Sequence, residues 1–174
     1  MKKKTFSLII IFGLFLAGAA MAQTLQPEAG KVEGTEINIG AAAKVKAPEF
    51  KLTGAELELF ARLVHAEAGG EPYQGQVAVA ATILNRLRSD RFPNTLSGVI
   101  YQVESGRYQY SPVLDGRINL PAGESAKKAV NEALGGADPS GGATGFYNPA
   151  KTSNMWVRRQ PVTTVIGSHV FFQY

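Results

Sequence analysis

Residues Leu57 to Glu71 read L-E-L-F-A-R-L-V-H-A-E-A-G-G-E, and the rest of the chain is organised around them. At a helical step of about 100° per residue, Leu57, Phe60, Ala61, Leu63, Val64 and Ala68 share one arc. That spacing predicts an amphipathic helix with this arc turned to a core. Glu67 points into the same arc, between the directions of Phe60 and Leu63, whereas Glu58, Arg62 and His65 fall on the other side. A carboxyl group among core-facing residues loses water, and desolvation disfavours its charged form, so its pKa should rise. A carboxylic acid that keeps its proton near neutral pH can protonate a leaving oxygen. Glu67 is the expected acid.

Working outward, Thr53 and Glu56 have the spacing of a capping box, which starts the helix, and Gly69-Gly70 stops it. Glu71-Pro72 opens a second helix over Tyr73 to Arg88, with Pro72 in its first turn. Its run V-A-V-A-A-T-I-L is apolar almost all round, as a central buried helix requires. Asn85 and Arg86 follow. An inward Asn85 would need a hydrogen-bond partner, such as backbone near Glu67, and the competing reading is a polar pair meeting solvent.

Phe92 to Thr95 is a turn, leading to a short helix from Leu96 to Gln102 capped by Thr95 or Asn94. Arg107 to Asn119 reads as a long loop of the kind that forms a lid or cleft wall. Ala122 to Leu134 is a further helix, with Ala126, Ala129, Val130, Ala133 and Leu134 inward and Gly135-Gly136 as its stop. Thr144 to Tyr147 and Thr164 to Tyr174 have the β-branched and aromatic bias of strands. They are expected to pair across the Asn148 to Pro161 loop. Helices first and a small antiparallel unit last give an α+β class.

Residues 1–22 have the layout of a secretory signal: Lys2 to Lys4, an apolar run from Phe6 to Leu16, and Ala20-Met21-Ala22 as a cleavage site. Residues 23–51 read as a flexible linker and 52–174 as the folded domain. The whole chain of 174 residues carries a net +4. Without the first 22 residues it keeps 15 basic against 14 acidic residues, a net +1, so no basic stripe marks a nucleic-acid binder. There is no cysteine, hence no disulfide, thiol chemistry or thiolate metal site.

Glycosidases usually employ two carboxylates. Glu71, Glu104, Asp115 and Glu124 are all candidates for a second, and a structural role for Glu67 also stands. His65 and His169 are the sole histidines, too few for a zinc site without added carboxylates. His65-Ala66-Glu67 matches the H-x-E of zinc deaminases, but their cysteine ligands are missing. His169, in an apolar strand, is expected to be a hydrogen-bonded packing residue. Tyr73, Tyr108, Tyr110, Tyr147 and Trp156 could stack on sugar rings or belong to the core.

The run H-A-E-A-G-G-E-P-Y-Q-G-Q-V-A-V-A-A-T-I-L-N-R at 65 to 86 closely resembles the bacterial cell-wall hydrolases of the spore cortex-lytic (SleB/CwlJ) type. The likeness continues through F-P-N-T at 92, Y-S-P-V at 110, A-L-G-G-A-D-P at 133, G-F-Y-N-P at 145 and I-G-S-H-V-F-F at 166. It implies a compact, lysozyme-like α+β domain acting on peptidoglycan glycan strands. It also implies a lytic transglycosylase cutting between N-acetylmuramic acid and N-acetylglucosamine, with Glu67 as its catalytic glutamate. Glu71 matches the second glutamate of the A-E-A-x-G-E motif. The expected substrate contacts are Glu71, Tyr73, Asn85, Tyr110, Tyr147 and Trp156. No cofactor and no metal are expected, and the enzyme should act as a secreted monomer in the cell envelope. A hydrolytic muramidase, an N-acetylmuramoyl-L-alanine amidase and a non-catalytic wall-binding protein are the competing readings.

Overall fold

The computed structural model describes residues 50–174; the expected signal and linker lie outside the described residues, apart from the last two of the linker. Helix α1 spans Gly54–Ala68 and α2 spans Tyr73–Arg88. A short α3, Leu96–Ile100, precedes a two-stranded hairpin of β1, Val103–Glu104, and β2, Arg107–Tyr108. Then come α4, Ser111–Asp115, a 3-10 turn at Arg117–Asn119, and α5, Glu124–Leu134. Strands β3, Gly145–Tyr147, β4, Val162–Ile166, and β5, His169–Phe172, close the chain. The class is α+β, as the sequence predicts. Among the described residues, no helix is long and apolar enough to cross a membrane.

The capping box at the start of α1 is complete. Thr53 Oγ1 accepts from the Glu56 amide at 3.3 Å, and the Thr53 amide donates back to Glu56 Oε2 at 2.8 Å. From there the predicted arc goes to work: Phe60, Ala61, Leu63, Val64 and Ala68 are all buried. Each fully buried large side chain contributes about 1.5–3 kcal/mol relative to exposure. Helix α2 is the central element. It packs on α1, α3 and α5, and every residue from Gly75 to Leu84 is buried. Its alanines let the neighbouring helices approach. Thr82 satisfies its buried hydroxyl within the helix, donating to the Val79 carbonyl at 2.7 Å. Helix α5 ends in a Schellman motif: Ala137 N–H reaches Glu132 O at 3.2 Å and Gly136 N–H reaches Ala133 O at 3.0 Å.

Two expectations need correction. Arg107 to Asn119 is not a structureless loop. It holds β2, α4 and the 3-10 turn, elements of five residues or fewer that are too short to leave a periodic trace. The hairpin before it turns on Ser105 and Gly106, both at positive φ. Pro112 starts α4, and Gly116 in the left-handed region ends it. Nor is Thr164 to Tyr174 one strand. It folds into β4 and β5 around Gly167-Ser168, and the sheet order is β3-β5-β4, so β3 pairs with the second arm. Gly167 has φ +58°, and a Cβ there would run into the Glu71 carboxylate. Both the turn geometry and the close approach demand glycine.

Candidate active site

Glu67 sits in the last turn of α1, where its side chain lines a cleft of about 750 Å³. One wall comes from α4 and the 3-10 turn, with Tyr110, Ser111, Leu114 and Arg117. The other comes from the three-stranded sheet and the loop between β3 and β4, with Phe146, Tyr147, Lys151, Trp156 and His169. Among the described residues lining the cleft, Glu67 is the sole carboxylate, beside the cations Arg86, Arg107, Arg117 and Lys151.

Burial raises the Glu67 pKa from 4.5 to about 7. Arg117 and Lys151 pull it down and Asp115 pushes it up, all more weakly than desolvation. Position adds to this, because the negative end of a helix disfavours a carboxylate in its last turn. The same helix end explains Arg117. The Ala66 carbonyl has no partner inside α1, and Arg117 Nη1 donates to it at 2.6 Å. Arg117 is in turn held by Asp115, through Nε at 2.9 Å and the backbone amide at 3.1 Å, and by Ser111 Oγ at 3.3 Å. These bonds keep the Asp115 carboxyl below its ordinary value.

Deeper in the cleft, Tyr110 is buried. Burial, opposed by Arg86, raises its pKa to about 12, so the phenol stays a hydrogen-bond donor. Its hydroxyl, Arg86 Nη1 and His169 Nδ1 have no hydrogen-bond partner among the described residues. Buried polar atoms are normally paired, so these three, on residues that line one cleft and themselves closed to solvent, are exceptions. Arg86 is otherwise well held, donating from Nε to the Thr144 carbonyl at 2.6 Å and lying over the Phe92 and Tyr110 rings at 4.9 and 5.4 Å. His169 packs on Phe146 at 5.1 Å, and burial lowers its pKa so that it is neutral. It is therefore a packing residue as the sequence suggests, but its Nδ1 lacks the expected hydrogen bond.

Toward the rim, Trp156 stands edge-on to Tyr174 at 5.1 Å and Phe172 at 6.5 Å, with 53% of its surface exposed. Tyr147 packs on Phe172 at 6.0 Å. The loop that carries Trp156 is tied by Arg158, whose Nη2 donates to the Thr152 carbonyl at 2.8 Å, and by Asn148, which donates to Ser168 Oγ at 3.0 Å.

Of the residues singled out from sequence, the cleft thus brings together Glu67, Tyr108, Tyr110, Tyr147, Trp156 and His169. Three of the expected substrate contacts stand apart. Glu71 clasps the β4–β5 turn, accepting from the Ser168 amide at 2.8 Å and from the Ser168 hydroxyl. Although burial pushes its pKa up, these two bonds hold the carboxyl below its ordinary value. Tyr73 donates its hydroxyl to Glu132 at 2.7 Å, fastening the start of α2 to α5. Asn85 is bonded as expected for an inward amide, but to Asp138 Oδ2 and the Ala143 carbonyl, both at 2.9 Å, rather than to backbone near Glu67. Sequence reasoning missed Arg117 and Lys151, and nothing in their neighbourhoods marks them. Among the described residues, no three His, Cys, Asp or Glu side chains converge as a metal site would require.

A family model described as cell wall hydrolase matches residues 70–172. The chain belongs to that family. It is 40% identical over 179 aligned residues to the spore cortex-lytic enzyme of Bacillus cereus, covering 92% of this chain and 68% of that protein. Against the spore cortex-lytic enzyme of Halalkalibacterium halodurans the identity is 43% over 144 residues, covering 83% of this chain but 42% of the relative. The catalytic domain of the germination-specific lytic transglycosylase SleB from Bacillus anthracis superposes with a TM-score of 0.64 at 43% identity. That match covers 70% of this chain and 97% of the other. The resemblance read from the motifs and the compact lysozyme-like α+β fold are thereby shown. The family match begins at Gly70, just past Glu67.

Proposed function

We propose that this protein is a peptidoglycan-cleaving lytic transglycosylase with Glu67 as its single acid and base. The observation that carries the reading is one carboxylate in the cleft, with its pKa raised to about 7. The names of the cortex-lytic relatives and of the SleB catalytic domain support the same class of substrate.

Protonated Glu67 gives its proton to the oxygen joining muramic C1 to the next N-acetylglucosamine, and the C1–O bond breaks. The leaving sugar departs with a new hydroxyl. The C6 hydroxyl of the same muramic residue then attacks C1, and its proton returns to the Glu67 carboxylate. A 1,6-anhydromuramic end results and Glu67 is regenerated. Ring closure is intramolecular, so neither a positioned water nor a second carboxylate is needed. Glycosidases that use a second carboxylate as base or nucleophile would need it across the scissile bond. Asp115, the nearest candidate by its influence on Glu67, is occupied by Arg117. Trp156 and Tyr147 offer ring faces to the bound strand, and the cleft cations suit a polymer that carries carboxylates. Glu71 acts at one remove, by fixing the turn next to His169. Residues 1–22 would export the chain to the envelope, where this substrate lies.

The test is mass spectrometry of fragments released from purified peptidoglycan by the wild type and by Glu67→Gln. Anhydromuramic ends from the wild type alone are expected. Reducing muramic ends would replace this reading with a muramidase, and freed stem peptides would replace it with an amidase.

A further inference from the structure

A second groove, of about 550 Å³, lies beside the cleft at the far end of α2. Its lining includes Asn85, Arg88, Arg91, Thr144, Gln173 and Tyr174. Tyr174 also lines the cleft, so the two depressions share one wall. The groove presents two guanidinium groups and, among the described residues lining it, no carboxylate. Neither Arg88 nor Arg91 has an ion-pair partner among the described residues.

Arg88 is nevertheless held in place. Arg88 Nη1 donates to Asn85 Oδ1 at 3.0 Å, and Asn85 is fixed from behind by Asp138 and the Ala143 carbonyl. Asp138 is itself taken up by the Ser140 amide and hydroxyl and the Gly142 amide. Asn85 thus works as a strut that sets the angle of the Arg88 fork. The Arg88 guanidinium also lies 5.3 Å from the Phe50 ring centroid, and that of Arg91 lies 5.7 Å from the Tyr174 centroid. The Arg88 fork is oriented by Asn85, with Asp138 one residue behind it, and neither arginine is ion-paired among the described residues, so both guanidinium groups can take a carboxylate.

In peptidoglycan, the glycan's muramic carboxyl is amide-linked to a short peptide, and the anions that travel with the strand are carboxylates of that peptide. A stem of four residues extends to about 13 Å. That reach exceeds the width of the one aromatic side chain, Tyr174, that the two grooves have in common.

We propose that this groove is a stem-peptide subsite. Arg88 and Arg91 take a carboxylate of the peptide carried by a muramic residue in the cleft, and the enzyme favours peptide-bearing over naked glycan. The inference rests on the cleft being a peptidoglycan site, and its test reads binding rather than turnover so that the two can fail separately.

Binding of the Glu67→Gln protein would be measured to soluble glycan strands in three forms: with intact stems, with stems whose carboxylates are amidated, and stripped of stems. Intact strands should bind about tenfold more tightly than the other two, a difference of about 1.4 kcal/mol. Adding Arg88→Gln and Arg91→Gln should abolish that preference and leave binding to stripped strands unchanged. With Glu67 intact, the same double variant should cleave stripped strands at the wild-type rate. Equal binding of all three forms would overturn the proposal. So would a double variant that loses affinity for all three by the same factor, which would make the arginines structural. Preferential binding of intact strands without anhydromuramic products would sink the transglycosylase reading and leave the subsite standing.

Discussion

Replacing Glu67 by glutamine keeps the shape of the side chain and removes its proton equilibrium, so it separates the chemistry of the acid from its packing. The folded-state pKa of about 7 lies above the ordinary 4.5. At 1.36 kcal/mol per unit the shift corresponds to about 3 kcal/mol, and solvent reaching the carboxyl from the open cleft reduces this to about 2 kcal/mol. The sign follows from linkage. Because burial raises the pKa, the native state holds its proton longer than the unfolded chain does. The contribution is fully present below pH 4.5 and is lost as pH rises through about 7. The glutamine variant does not titrate. It should match the wild type near pH 4 and be more stable by about 2 kcal/mol at pH 8.5. For a domain of this size that is a gap of about 6 °C in Tm, at about 3 °C per kcal/mol. Thermal unfolding of both proteins from pH 4 to 8.5 measures it, alongside loss of cleavage by the variant. A gap that stays flat with pH, or a wild type that gains on the variant as pH rises, would refute the buried-acid argument.

Other outcomes follow from the same geometry. Cleavage by the wild type should fall as pH rises through about 7, because Glu67 must enter the reaction protonated; a pH–rate profile on soluble strands reads this. Asp115→Asn removes a charge that raises the Glu67 pKa, so the alkaline limb of that profile should move to lower pH. Glu71→Gln weakens the clasp on Ser168 and should cost about 1 kcal/mol, with faster amide exchange in β4 and β5. Because bonding to Ser168 depresses its pKa, the clasp's stabilisation is present above pH 4.5 and is lost as pH falls through the lowered value. Trp156→Ala should raise KM for glycan by about two- to tenfold through lost stacking, with little change in Tm because the ring is half exposed.

What the sequence makes legible here follows from length and periodicity. Helices α1 and α2 each run four turns, so the spacing of Phe60, Leu63 and Val64, and the apolar run ending at Leu84, declare them directly. Glu67 is legible for the same reason, as the one acid of the arc that ends up facing a cleft. The second wall is not. Helix α4 and its 3-10 turn are too short for a period, and Arg117 reaches the Ala66 carbonyl beside Glu67 only because Gly116 turns the chain back toward the end of α1. Glu71 illustrates a different limit. Its place in the A-E-A-x-G-E motif suggests chemistry, yet its hydrogen bonds go to Ser168, 97 residues away in sequence, a pairing that local spacing cannot reveal. Asn85 shows the same thing: the need for a partner is readable, but the partner, Asp138, is set by how α2 meets the glycine-rich turn after α5.

The most direct test of the central claim is to digest peptidoglycan in water enriched in oxygen-18 and weigh the new muramic ends. If Glu67 acts alone and the muramic C6 hydroxyl closes the ring, those ends carry no heavy oxygen and are lighter by one water than reducing ends. One oxygen-18 per cut at muramic C1 would mean that water attacks the sugar, and the single-carboxylate account of this cleft would be wrong.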